Sequence, residues 1–266
     1  MDSLPPLLLI HGFTDTARTW DPLIPHLGRH HRVLAPTLLG HHGGPPIPPG
    51  MRDPHAAMAD ELERELDAAG IAALPVVGNS LGGWLAFELA ARGRATCVVA
   101  LSPAHGWPED VPPASTRRQF ARAQKLAGVG ARHAEAIVRR PLIRWLAFAD
   151  VIAHGERVPP STAAELIRGA ADCPMYEPYI AFIERGGYRA GWDDLGVPTV
   201  IAWGTQDRTI PLARSSGWFR EALPDARWVT LPGCGHLPHH DDPELVASVV
   251  LEVTRAAPAR LQTAAA

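Results

Sequence analysis

The chain has 266 residues, 46% hydrophobic and 20% charged, enough for one full domain with a sizeable core and an inserted subdomain. Twenty-five basic against 28 acidic residues give a net charge of −3, a balance that calls for neither nucleic acid nor an anionic membrane as partner. Cys97, Cys173 and Cys234 are odd in number and widely spaced, which excludes a disulfide framework or a zinc knuckle as the organising principle.

The apolar run near the start spans only Leu7 to Ile10, with no basic region before it and no cleavage site after it, so neither a signal peptide nor a membrane span is read there. A cytoplasmic protein is the expectation. Pro6–Ile10 is the first predicted strand, running into His11-Gly12, and Arg32–Ala35 the second. Asp60–Ala69 has Leu62 and Leu66 on one helical face and Gly70 as a stop. On this reading Asp53 and Asp60 are helix-entry residues. Pro75–Val77 is a third strand, Leu81–Arg92 an Ala- and Leu-rich helix, and Cys97–Leu101 a fourth strand. Unalternating apolar runs of this length mark strands buried on both faces, as in a parallel sheet.

The rhythm breaks after His105. Up to about Gly191 no strand is evident, while helical stretches stand near Ser115–Ala127, Pro141–His154 and Thr162–Ala171. Pro108, Pro112 and Pro113 mark the entry, and Gly186, Gly187 and Gly191 the exit. Strands then return at Val197–Trp203 and Arg227–Leu231, with helices at Pro211–Ala222 and Pro243–Thr254. The predicted fold is α/β: a doubly wound, mostly parallel sheet of about six strands. Its core is residues 1–104 and 191–266, and residues 105–190 are an inserted all-helical lid.

One motif carries the chemistry. Gly78-Asn79-Ser80-Leu81-Gly82-Gly83 stands directly between a strand and a helix. A serine at such a turn needs small neighbours, and the helix start beneath it favours developing negative charge. No lysine follows in P-loop position, so a phosphate-binding turn fits poorly. A serine hydroxyl needs a base, and the base needs an orienting acid. Asp207 follows the strand ending at Trp203, and His236 follows the strand ending at Leu231, giving the chain order Ser80, Asp207, His236. Both loops lie at carboxyl ends of strands, where catalytic groups of open α/β sheets gather. Asp193 and Asp194 precede a strand and so sit at its wrong end.

These segments resemble the α/β-hydrolase superfamily over nearly the whole chain outside the lid. His11-Gly12-Phe13 is similar to that family's oxyanion segment, which implies a hole made by the backbone N–H groups of Phe13 and Leu81. Trp20 stands where members often carry a packing Trp, and Gly235-His236 with Asp241 and Pro243 resembles the closing motif. Two features depart: the antiparallel hairpin that usually opens the sheet is missing, and the usual D-x-x-G-x-G turn reads Pro36-Thr37-Leu38-Leu39-Gly40-His41-His42-Gly43.

The resemblance implies a cofactor-free serine hydrolase cleaving small-molecule carboxylic esters, that is, a carboxylesterase. Carbon–carbon bond hydrolase, thioesterase and lactonase are the alternatives within the fold, and a ligand receptor is the alternative outside enzymology. Epoxide hydrolases and haloalkane dehalogenases are disfavoured, because they need Asp where Ser80 stands. An acyl-carrier-linked substrate would require a basic partner surface, and none is read here. Trp84, Trp107, Trp145, Phe148, Met175 and Tyr179 are candidate pocket residues, of which two or three are expected to meet substrate. His11 is read as structural, and His105 as a surface residue. His236, His239, His240, Asp241 and Asp242, like His41-His42, fit no zinc pattern and are read as polar loops, with no metal. Cys234 is read as a small buried side chain.

Overall fold

The run Pro6–Ile10 is buried at every position and forms the first strand, β1. It is followed by a short helix α1 (Ile24–Leu27), β2 (Arg32–Leu34), α2 (Pro54–Ala68), β3 (Ile71–Asn79), α3 (Leu81–Ala91) and β4 (Ala95–Leu101). Five helices come next: α4 (Ala114–Gly130), α5 (Ala134–Ile137), α6 (Pro141–Phe148), α7 (Pro160–Ala171) and α8 (Tyr176–Ile183). The chain then returns to the sheet with β5 (Thr199–Gly204), α9 (Leu212–Ala222), β6 (Arg227–Leu231), α10 (Pro238–Asp241), α11 (Pro243–Thr254) and β7 (Arg260–Leu261). The computed structural model describes residues 4–107, 111–187, 194–257 and 260–261; Pro108, Gly191 and Asp193 lie outside them.

The sheet order is β2-β1-β3-β4-β5-β6, with these six strands parallel. β7 pairs antiparallel with the start of β3. Among the described residues β2 is one edge strand. Side chains alternate across the sheet, so neighbouring residues of one strand enter different cores. Leu8, Ile10, Val76, Val98 and Ile201 pack on one face with α2, α3 and α9. Leu7, Leu9, Val77, Val99 and Val200 pack on the other with Trp20, α1 and α11. Strand order reverses around β1, whose carboxyl end lies beside that of β3. Such a switch point leaves a crevice at the carboxyl ends of the strands.

The helix read as Pro141–His154 ends at Phe148, α10 and β7 were not read, and three further differences have a local cause. α2 begins at Pro54, six residues before Asp60: Asp53 caps it by accepting the Ala56 N–H at 3.0 Å, and Pro54 takes the first helical position, where no N–H is needed. Asp60 is therefore mid-helix and pairs with Arg92 at 2.6 Å. β3 is nine residues long rather than three, and Pro75 inside it sits at a register break. There the strand's neighbour changes from β7 to β1, so the missing N–H falls where the ladder is already interrupted. Finally, α8 is apolar on nearly every side (Tyr176, Tyr179, Ile180, Phe182, Ile183) and so shows no helical stripe; Pro178 is accepted because it lies in the first turn.

Candidate active site

Ser80 is half-buried at the end of β3, with φ +54° and ψ −116°, a conformation costly for any residue with a Cβ. Its surroundings impose it. A Cβ at Gly78 would lie 2.0 Å from the Gly82 carbonyl oxygen, and one at Gly82 would lie 2.0 Å from the Ile10 carbonyl oxygen. Strand β3, helix α3 and strand β1 thus approach as closely as bare backbone allows. The Ser80 N–H donates to Leu101 at 3.0 Å, and its carbonyl accepts from Trp84 at 3.2 Å and Ala104 at 2.9 Å. These bonds to both flanking elements hold the strained turn in place.

Asp207 and His236 meet as the chain order predicts. His236 Nδ1 lies 2.8 Å from Asp207 Oδ2, with both side chains buried. The other carboxylate oxygen, Oδ1, accepts the N–H groups of Thr209 (2.9 Å) and Ile210 (2.8 Å). Asp207 therefore has only one oxygen turned to the imidazole, which places the proton on Nδ1 and leaves Nε2 as the basic nitrogen. Asn79, next to Ser80, donates its side-chain amide to the His236 carbonyl at 2.9 Å and to the Leu101 carbonyl at 3.0 Å. That bond ties the histidine loop directly to the serine turn.

The loop after β1 is shaped by His11. Its Nε2 accepts the Leu38 N–H at 2.9 Å, and its Nδ1 faces the Gly12 carbonyl at 2.8 Å, which defines one neutral tautomer. Burial and the neighbouring His41 hold its pKa well below the usual histidine range. Gly12 lies against Ser80, a Cβ there being 3.3 Å from Ser80 Cβ. Phe13 follows, and no described acceptor takes its backbone N–H or that of Leu81, the first residue of α3.

Asp241 has a role the sequence reading did not assign. Its Oδ2 accepts from the N–H groups of Gly235 (2.7 Å) and Ala153 (3.2 Å), and its Oδ1 from that of His154 (2.8 Å). Leu237 N–H donates to Val151, and the Thr209 hydroxyl to Asp150. The segment 149–154 of the helical insert is thereby fastened to the loops carrying both Asp207 and His236. Asp241→Ala leaves three backbone donors without their acceptor and is expected to cost about 3 kcal/mol of stability, read from the urea midpoint.

The cleft over Ser80 is lined by Phe13, Leu81, Ala104, Trp107, Phe120, Tyr179, Ile183 and Ile210, and leaves about 10 Å³ of space. That is room for roughly one water. Of the six candidate pocket residues, Trp107 and Tyr179 reach it. Trp84 instead packs against His105 and Trp218 and borders a separate cavity of about 560 Å³ with Arg52, His55, Glu88, Phe182 and Arg185. Met175 is fully buried against Gly40. Phe148 belongs to a satellite core with Ile152, Val158 and Leu237, and Trp145 is exposed on α6. Phe120, Ile183 and Ile210 were not foreseen, since they sit on two helices and a loop whose packing no local pattern reveals.

Several histidines are also placed differently. His105 is fully buried among Trp84, Trp107, Trp218 and Phe219, not at the surface, and burial lowers its pKa to about 3. His239 and His240 are buried rather than in a solvated loop, and each places Nε2 3.0 Å from the Thr19 hydroxyl. Asp194 caps a turn by accepting the Gly196 N–H. Cys234 is buried, with its thiol pushed up to about 12. Among the described residues no three of His, Cys, Asp and Glu converge as metal ligands, and no helix is long and apolar enough to cross a membrane.

Residues 7–249 match the model of the alpha/beta hydrolase family. This chain is an α/β hydrolase. It is 34% identical to epoxide hydrolase EphH of Mycobacterium tuberculosis over 206 residues, covering 74% of this chain and 95% of the relative. It is 29% identical to the pimeloyl-[acyl-carrier protein] methyl ester esterase of Aromatoleum aromaticum, covering 94% and 98%. Among solved structures the hydrolase shares its fold with 2-hydroxy-6-oxo-6-phenylhexa-2,4-dienoate hydrolase from Rhodococcus sp. strain RHA1, at TM-score 0.70 and 21% identity, covering 95% and 91%.

Proposed function

We propose that this α/β hydrolase is a serine carboxylesterase acting on small to medium apolar esters through an acyl-enzyme at Ser80. The observation that carries the reading is the serine held at a strained turn, tied through Asn79 to a histidine whose Nδ1 is engaged by Asp207. Ser80 attacks the ester carbonyl while His236 takes its proton, and Asp207 steadies the imidazolium. The Phe13 and Leu81 amides receive the oxyanion, each donor worth about 3–4 kcal/mol. His236 then protonates the leaving alcohol, and water repeats the sequence. Every proton moves between these residues, substrate and water, so the scheme requires no organic cofactor.

The helical insert (105–190 in the sequence reading) acts in this proposal as the lid that selects substrate. With about 10 Å³ over Ser80, the aromatic residues of α4 and α8 must move aside to admit an acyl chain. The apolar lining favours a hydrocarbon acyl group.

The similarity to an epoxide hydrolase supports a second reading. Covalent epoxide opening uses a carboxylate nucleophile, however, and Ser80 occupies that position. Hydrolysis of a p-nitrophenyl ester series, beside hydration of an aryl epoxide, separates the two. The wild type is expected to turn over the esters, and Ser80→Ala to lose about a thousandfold or more. Epoxide turnover without ester turnover, unchanged in Ser80→Ala, would remove the esterase reading.

A further inference from the structure

The net charge of −3 conceals a strongly basic segment. Residues 111–149, which span α4 to α6, contain eight arginines and lysines and one acid, Glu135, a net of +7. The count corrects the reading that the chain offers no basic surface. Glu135 is engaged by Arg168 from α7 at 2.8 Å. Arg117 pairs with Glu184, and Arg144 is buried against the carbonyls of Val138, Arg139 and Glu156. The remaining six, Arg118, Arg122, Lys125, Arg132, Arg139 and Arg140, are exposed, and none pairs with a described acid.

The same helices expose apolar side chains. Of the seven large hydrophobic residues exposed among those described, six lie here: Leu126, Val129, Ile137, Leu142, Trp145 and Leu146. Val129 is 75% exposed and Leu142 64%. Arg118, Arg122, Lys125 and Val129 fall at i, i+4, i+7 and i+11 on one face of α4, with Leu126 beside them. Leu142, Trp145 and Leu146, at i, i+3 and i+4, share the outer face of α6, with the buried Arg144 on the far side. Ile137 reaches the end of α4 next to Gly130, and the buried Arg144 ties α5 to α6, so the three helices are joined.

A soluble surface seldom concentrates its exposed apolar side chains in one segment. Protruding aliphatic groups with a tryptophan, among basic side chains long enough to reach outward, are the composition of an interfacial helix on anionic lipid. A protein hot spot instead seats aromatic and arginine anchors in packed pockets. We propose that the α4–α6 face docks this protein on an anionic lipid surface. Phe120 of α4 lines the Ser80 cleft, so docking would set the roof of that cleft at the lipid boundary. The proposal stands on the surface alone and does not depend on the esterase reading.

Vesicle flotation tests it, using Ser80→Ala protein so that no lipid is consumed. Binding is expected to equimolar phosphatidylglycerol–phosphatidylcholine vesicles, to weaken in about 0.5 M NaCl, and to be far weaker on phosphatidylcholine alone. Leu142→Ser/Leu146→Ser and Arg122→Glu/Lys125→Glu are each expected to lower the bound-to-free ratio by about tenfold or more, with unchanged melting temperature. Absence of binding to the anionic vesicles, or binding that neither variant alters, overturns the proposal. So does binding to polyglutamate in place of vesicles, which would assign the face to an acidic polypeptide.

Discussion

Asp207→Asn is expected to lower kcat for ester hydrolysis by roughly ten-thousandfold while leaving the fold intact, the size seen for the equivalent change in a serine protease. The reason lies in how the carboxylate is used. One oxygen accepts two backbone N–H groups and the other faces His236 Nδ1. An asparagine keeps the first pair of bonds by pointing its carbonyl oxygen at Thr209 and Ile210. Its NH₂ then faces Nδ1 and demands an acceptor there, which moves the imidazole proton to Nε2. The nitrogen that must take the serine proton is then blocked. KM for a p-nitrophenyl ester should change little, since Asp207 does not line the cleft. A variant retaining more than about a tenth of wild-type kcat would show that Asp207 is not the acid behind His236.

Acid is expected to unfold this protein cooperatively, with a midpoint near pH 5. Six histidines are buried with pKa values lowered chiefly by desolvation: His41 and His240 to about 4, His55 and His105 to about 3, and His11 and His239 well below the usual range. Below the unfolded value of about 6.5, the unfolded chain binds protons that the folded chain refuses. Stability is therefore full above that pH and falls with acidification, by about 1.4 kcal/mol per histidine per pH unit. Asp15 works in the opposite direction. Burial raises its pKa to about 7, so between pH 7 and its unfolded value near 3.8 the folded form holds the extra proton, and stability rises as pH falls. Asp241 and Glu65, also raised chiefly by burial, act in the same sense, so the carboxylates offset only part of the loss from six histidines. A margin of about 5–15 kcal/mol is consumed within about two pH units. Circular dichroism and tryptophan fluorescence across pH 8 to 3 should show one shared transition, and a native spectrum at pH 4 would contradict this accounting.

The parts of the fold that were legible in the sequence are those where local pattern and environment coincide. A strand such as Pro6–Ile10 is buried on both faces and is apolar throughout, so its letters announce it. Ser80 was legible because the strained turn demands Gly78 and Gly82 at fixed offsets. Asp207 and His236 were legible from their places after strands. The pocket was not, because Trp107, Phe120 and Tyr179 come from three separate segments, and only the packing of the insert decides which aromatics face Ser80. Trp84 illustrates the limit: it stands four residues from the serine, yet α3 turns it into a cage with His105 and Trp218. The buried state of His105, His239 and His240 was equally hidden, since a histidine letter does not distinguish a solvated ring from one held by Thr19 or enclosed by tryptophans.

The fastening of residues 149–154 to the loops of Asp207 and His236 bears on how this scaffold tolerates recombination. The insert is not an independent module resting on a finished hydrolase. It supplies the N–H groups that Asp241 binds and the carbonyls that Thr209 and Leu237 seek. A chimera that exchanges the insert for one from a relative would therefore disturb the loops of Asp207 and His236 unless those backbone partners are carried across. Exchanges confined to α4 and α5, away from that seam, leave the Asp207–His236 pair with its supports.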